Sequence, residues 1–160
     1  MLSRTFLWPQ GYTSAAMISV NLDAEFYGRI FYPGIDVSEG DIQRLGWTGM
    51  EYGLPHLLDC FREHGVKGTF FIPGRVAELY PDAVRAIADA GHELGCHGYE
   101  HEILAHFTPE EQLELLKKAK AAIEKAAGRA VTGFRMPEGE ITEQTLVAAK
   151  EAGFAYSSSL

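Results

Sequence analysis

The sequence predicts an α/β domain built on parallel strands. Three observations lead there. From residue 15 onward, short apolar runs alternate with segments of helical period, the order that gives a parallel sheet with crossover helices. Gly and Pro stand where helices stop and strands begin, as at Gly65, Pro73-Gly74, Gly91, Gly128 and Gly153. The residues with most chemical capability, Asp23, Glu25, His97, His101 and Arg135, all follow apolar runs, and α/β folds gather their sites at the C-terminal ends of strands.

At 160 residues and 46% hydrophobic composition, the chain is the length of one domain, residues 1–160, with enough apolar side chains for a proper core. A net charge of −8 argues against nucleic acid, whose phosphates need clustered Lys and Arg. The densest basic group, Lys117, Lys118, Lys120 and Lys125, lies on a Glu-rich helix and reads as a solvated face. Cys60 and Cys96 form no disulfide framework or C-x-x-C pair, and both read as buried thiols. The N-terminus lacks a signal-type apolar region and no apolar run could span a bilayer, so the expected location is cytoplasmic, away from membranes.

The first strand, over residues 15–22, is nearly continuously apolar, the pattern of a strand buried on both faces. It ends in Asp23-Ala24-Glu25. Residues 26–49 carry Phe26, Tyr27, Phe31, Tyr32 and Trp47 without a clean period, which predicts a long lid or binding loop, with Phe31 and Trp47 buried. Leu54, Leu57, Leu58 and Phe61 form one stripe of a helix over 52–64. A second strand covers 66–72, closed by Pro73-Gly74, and a short helix over 81–90 opens on Pro81. The third strand, 92–96, delivers His97. Thr108, Pro109 and Glu111 spell a capping box for a helix running to Gly128. A fourth strand over 130–134 leads into Arg135-Met136-Pro137-Glu138-Gly139. Thr142 caps a helix that stops at Gly153, and residues 154–156 begin a fifth strand.

Two imidazoles four residues apart, His97 and His101, have a metal-ligand spacing. If the segment turns helically, both rings share one face, and neutral imidazole suits zinc, nickel, copper or iron; two surface histidines would share the spacing. A carboxylate or a third nitrogen must complete the set, and an open position must remain for catalysis. Asp23 and Glu25 are the candidates.

These segments together resemble the polysaccharide deacetylase superfamily, metal-dependent carbohydrate esterases with a chitooligosaccharide-deacetylase-type domain. The resemblance rests on Asp23-Ala24-Glu25, on residues 68–74, on Gly91-His92-Glu93-Leu94-Gly95-Cys96-His97-Gly98-Tyr99-Glu100-His101, on residues 133–139 and on the closing residues 153–160. It implies a distorted (β/α) barrel and a divalent metal, most often zinc, with cobalt, nickel or manganese also compatible. It further implies that Asp23 is the base, that Glu25, His97 and His101 are metal ligands and that Arg135 orients the base; Tyr27, Tyr99 and Pro137 are the substrate-side candidates, with Tyr27 and Tyr99 open between stacking on a sugar and burial. Glu100 and Glu102 read either as partners of the histidines or as a solvated pair.

The chain departs from the common pattern in three ways; in one, the metal acid is Glu25 where Asp is more common. Ala24 separates the two acids, which brings it closer to a subgroup of intracellular deacetylase-like proteins and cyclic-imide or allantoin-type hydrolases. The later acid-bearing motif and the Leu-x-His motif with its general-acid histidine are absent, which predicts an incomplete barrel: either a fragment or split product, or a chain whose open edge a second copy or a partner chain covers. His106 reads as a loop histidine rather than a substitute acid. The implied activity is metal-dependent hydrolysis of a non-peptide carbon–nitrogen bond, N-deacetylation of a saccharide or small amide. A cyclic-imide amidohydrolase and a truncated, non-catalytic binding or assembly domain are the other readings.

Overall fold

The computed structural model describes residues 10–27 and 39–159. Five strands form one sheet in the order β1-β2-β3-β4-β5: β1 Ser19–Asn21, β2 Thr69–Ile72, β3 Glu93–Cys96, β4 Gly133–Phe134 and β5 Tyr156–Ser157. Every neighbouring pair is parallel. A doubly wound sheet reverses its order at a switch point, whereas this one adds each strand to the same edge, as a (β/α) barrel does. The sheet also curls. In a flat sheet the outer strands would stand about 19 Å apart, yet the Nη2 of Arg135 donates both to Ser19 Oγ on β1 (3.0 Å) and to Ser158 Oγ just after β5 (2.8 Å). The fold is an open arc of parallel strands wrapped by helices, an incomplete α/β barrel.

Six α-helices accompany the strands among the described residues: α1 Glu39–Thr48, α2 Leu54–Glu63, α3 Gly74–Leu79, α4 Pro81–Asp89, α5 Pro109–Ala127 and α6 Glu143–Glu151. Strand alternation sends Phe70, Ile72, Leu94, Cys96 and Phe134 outward, into a core shared with Val76, Ile87, Leu116 and Ile123. Phe71 points inward across Gly95, and the Arg135 guanidinium lies 4.1 Å from its ring centroid. The caps of α5 and α6 are those the sequence spells. Thr108 Oγ1 accepts from Glu111 N–H while the Glu111 carboxylate accepts from Thr108 N–H (2.8 Å), and Thr142 Oγ1 accepts from Thr145 N–H (3.1 Å). Gly128 closes α5 with φ +69.

Several expectations are corrected. The strand over 15–22 shrinks to three residues, and Met17 and Ile18 are 69% and 44% exposed, because among the described residues β1 lies at the sheet edge with β2 as its one strand partner. Within the span read as a loop, residues 28–38 and the expected burial of Phe31 lie outside the described residues, and residues 39–48 form α1. Two glycines and a sparse apolar stripe hid that helix. Gly46 explains one of them: a Cβ there would stand 2.4 Å from Glu25 N, so the glycine lets α1 lie directly on the Ala24–Phe26 turn. Trp47 is half exposed, edge-on to Tyr52 at 5.8 Å, rather than buried. Cys60 faces solvent on α2. The turn expected at Pro73-Gly74 opens α3 instead. No helix among the described residues is long and apolar enough to cross a membrane.

Candidate metal centre

Three strand ends build the site. After β1, Leu22 N–H still pairs with Phe71 O (2.9 Å), and the chain then tightens into a 3-10 turn, Ala24–Phe26, with Phe26 N–H bonded to Asp23 O. Ala24 has φ 47, a left-handed setting uncommon for a residue with a Cβ. This turn leaves Asp23 pointing inward, 8% exposed. After β3, His97 N–H bonds Ile72 O, and Gly98 at φ +73 reverses the chain.

The segment from His97 to His101 is not helical. Its carbonyls are engaged elsewhere: Gly98 O and Tyr99 O accept from Gly74 and Arg75 N–H at the start of α3 (3.0 and 2.8 Å). The Glu102 carboxylate takes the N–H groups of Tyr99 and Glu100 (2.8 and 2.5 Å), so Glu102 is the clasp of this loop rather than a solvated acid. His101 sits at φ 62. The four-residue spacing thus brings the two rings together, centroids 4.9 Å apart, through a clasped turn instead of a helical face.

His97 Nδ1–H donates to Arg135 O (2.8 Å); a carbonyl can only accept, so Nε2 is the bare nitrogen. That nitrogen stands 3.7 Å from Asp23 Oδ1, and His101 Nε2 stands 3.7 Å from Asp23 Oδ2. Both separations are too long for hydrogen bonds. Asp23, His97 and His101 each present one donor atom, all within 4.8 Å of one another, and all three side chains are buried. Among the described residues, Asp23 Oδ1 and His97 Nε2 have no hydrogen-bond partner. Buried polar atoms left unpaired yet converging on one point are costly unless a cation joins them. An oxygen and two imidazole nitrogens are the donors that a catalytic divalent metal takes while keeping a position open. The residues fit such an ion.

Electrostatics describe the same arrangement. Burial, with the nearby Glu138 charge second, pushes the Asp23 carboxyl up to about 7. Burial brings His97 down to about 4 and lowers His101 as well, so both rings are neutral and ready to coordinate at neutral pH.

The three donors line one wall of an open cavity of about 330 Å³, with Asn21, Tyr27, Arg135, Met136, Glu138, Gly139, Ser158 and Ser159 around them. Of the residues singled out in the sequence, Asp23, His97, His101, Arg135 and Tyr27 therefore meet here. Glu25 does not. The 3-10 turn carries its carboxylate to Tyr80, whose hydroxyl donates to Glu25 Oε2 (3.2 Å), and its place in the donor group is taken by Asp23. Among the described residues Arg135 forms no hydrogen bond or ion pair with Asp23; its guanidinium donates to Asn21 Oδ1 (2.9 Å), Ser19 Oγ and Ser158 Oγ. Tyr99 is buried against α3 and α5, its hydroxyl on Glu78 (3.0 Å) and its ring under Lys118 Nζ (3.8 Å). Pro137 packs against Gly98, at 3.1 Å from the position of a Cβ there, and neither residue lines the cavity.

Asn21 and Glu138 were missed from sequence. Asn21 lies two residues before Asp23, on the alternation that puts it beside Ser19 and towards Arg135. Glu138 sits inside the segment led by Arg135, with φ 58 and its Oε1 3.7 Å from His101 Nδ1.

Residues 47–157 match the family model for polysaccharide deacetylase. The peptidoglycan deacetylase of Helicobacter pylori is 36% identical over 129 residues, 81% of this chain and 43% of that protein. The peptidoglycan-N-acetylglucosamine deacetylase of Bacillus cereus is 39% identical over 100 residues, 62% of this chain and 36% of that protein. Among solved structures, a Mycobacterium smegmatis protein described as a polysaccharide deacetylase superposes with a TM-score of 0.84 at 33% identity, over 97% of this chain and 54% of that one. The chain thus spans less than half the length of these two curated relatives, and it belongs to the polysaccharide deacetylase family.

Proposed function

We propose that this chain carries the metal site of a saccharide N-deacetylase that hydrolyses the acetamido group of an N-acetylated sugar. The observation that carries this reading is the buried Asp23–His97–His101 group, with its facing donors unpaired, on the wall of an open polar cavity. Names of relatives that act on peptidoglycan point the substrate class towards N-acetylhexosamine polymers. Such a polymer lies outside the cytoplasmic membrane, which sets this reading against the cytoplasmic expectation.

Asp23, His97 and His101 would hold the ion, with Asp23 in the place first given to Glu25. Two nitrogens and one oxygen suit zinc, and also cobalt, nickel or manganese. When bound, the ion polarises the acetyl carbonyl and lowers the pKa of water. The remaining roles belong to the chain. The His97 Nδ1–H bond to Arg135 O fixes the ring so that Nε2 faces the site. Arg135, Ser158 and Ser159, which line the same cavity, bring hydrogen-bonding groups for sugar oxygens, and the half-exposed Tyr27 lines it as well. The edges β1 and β5 leave room for a second copy or partner chain.

The test is metal content per chain by elemental analysis, with acetate release from an N-acetylglucosamine oligomer measured in parallel. Near-stoichiometric metal that His97→Ala and Asp23→Asn lose and Glu25→Ala keeps is the expected result. Metal absent after incubation with excess zinc or cobalt refutes the reading.

A further inference from the structure

The cavity wall carries two carboxylates, Asp23 and Glu138. Asp23 faces both histidines and is committed to holding the ion in the reading above. The arginine that should steady a proton-accepting acid steadies an amide instead: Arg135 Nη1 donates to Asn21 Oδ1 at 2.9 Å. An amide oxygen accepts hydrogen bonds but does not take up a proton near neutral pH. As arranged, the Arg135 position supplies no base.

We propose that Glu138 is the proton acceptor of this site, a catalytic residue that replaces the arginine-held acid; the inference rests on the deacetylase reading. Its backbone is built for a purpose. Glu138 has φ 58 and ψ 0, a setting that disfavours any residue with a Cβ, and such outliers gather at functional positions. The segment around it is held from both sides: Met136 N–H donates to Ser159 Oγ (2.8 Å), and Pro137 packs on Gly98. The result is a largely buried carboxylate, 16% exposed, that lines the same cavity as the three donors, its Oε1 3.7 Å from His101 Nδ1, the ring nitrogen turned away from Asp23. Glutamate here is not a filler for the turn, since glycine would meet the backbone demand more easily.

In the step assigned to Glu138, the water oxygen forms a bond to the acetyl carbon as one water proton passes to the carboxylate. When the carbon–nitrogen bond breaks, the same proton passes to the departing nitrogen. The products are the free amine and acetic acid, and no oxidant or reductant is consumed. One carboxyl group thereby serves as base and then as acid, a role a single residue can fill when it stays beside the reacting atoms.

The experiment uses the whole chain loaded with zinc and three variants: Glu138→Gln, Asn21→Asp and the double variant. Zinc affinity is measured by calorimetric titration, and kcat and KM by acetate release from an N-acetylglucosamine oligomer. Glu138→Gln should lower kcat by about 100-fold or more, with zinc affinity and KM changed by less than about threefold. The double variant should regain about tenfold, because Asn21→Asp places a carboxylate beside Arg135. Glu138→Gln with undiminished kcat overturns the inference. So does Glu138→Gln with zinc affinity lowered about tenfold or more, the mark of a residue that orients His101. Wild type that binds zinc but releases acetate only after Asn21→Asp also overturns it. Failure of wild type to bind zinc at all sinks the deacetylase reading itself, an outcome distinct from these.

Discussion

Replacing Asp23 by Asn separates the cost of the site from its use. The Asp23 carboxyl rises from an ordinary 3.8 to about 7, mainly because burial disfavours its charge. At pH 8 the metal-free chain must keep that carboxylate ionised, and the rise amounts to about 4 kcal/mol of lost stability. The sign follows from the direction of the shift. The folded value lies above the unfolded one, so the protonated form's contribution is intact below about pH 3.8 and is lost as pH rises to about 7. Asn carries no charge and removes this slope, but its amide still packs against unpaired donors, which takes back about 1–3 kcal/mol. The metal-free Asp23→Asn variant should therefore be about 2 kcal/mol more stable than wild type at pH 8, a rise of about 4–8 °C in melting temperature. At pH 4 the advantage should vanish. Zinc should invert the order, because a ligand at a thousand times its Kd adds about 4 kcal/mol to wild type and nothing to the variant. Thermal melts at pH 4 and pH 8, with chelator and with zinc, test all four arms. A variant less stable than wild type at pH 8 in chelator refutes the reasoning and makes Asp23 a structural acceptor.

Other outcomes follow from single contacts. Gly46→Ala drives a Cβ to within 2.4 Å of Glu25 N and 2.7 Å of Glu25 Cα; lifting α1 off the Ala24–Phe26 turn should cost about 1–3 kcal/mol, read as a lower urea midpoint at unchanged slope. Glu102→Ala frees the loop N–H groups of Tyr99 and Glu100, and calorimetric titration should show zinc affinity falling about 10–100-fold. In the native chain only Cys60 should react promptly with a thiol reagent, because complete burial pushes the Cys96 thiol far above its ordinary value; two fast native thiols would contradict the packing around β3.

The order of strands and helices was legible because it depends on local signals. Thr108 with Glu111, Thr142, and the glycines at 91, 128 and 153 mark helix ends by mechanisms that act within four residues, and the structure keeps them. Helices α1 and α3 were not legible: α1 gains its place from Gly46 meeting the turn after β1, and α3 from the carbonyls of Gly98 and Tyr99. Both causes lie far off in sequence. The site divides in the same way. His97 and His101 announce themselves by spacing, but the choice between Asp23 and Glu25 depends on where a turn with Ala24 at φ 47 points its side chains. No propensity encodes that angle. Asn21 carried no signal by type, and Glu138 was hidden within a segment whose arginine drew the attention.

The sheet that presents these loops is short of backbone bonds, with strands of two to four residues, and its inner face compensates with side chains. Glu93 accepts from Thr69 Oγ1 on β2 and from the Tyr156 hydroxyl on β5, both at 2.7 Å, while the Tyr156 ring covers Gly133 on β4. Arg135 ties β1 to the chain after β5. Each such bond contributes about 1 kcal/mol net, and together they link all five strands below the cavity. Because Arg135 also offers its carbonyl to His97 Nδ1–H, the residue that closes the curl of the sheet also sets which nitrogen of the histidine faces Asp23. Curvature and donor geometry are thus one constraint. A change that opened the arc, such as Arg135→Ala, would move the Arg135 carbonyl, and with it the ring of His97, without touching any of the three donors.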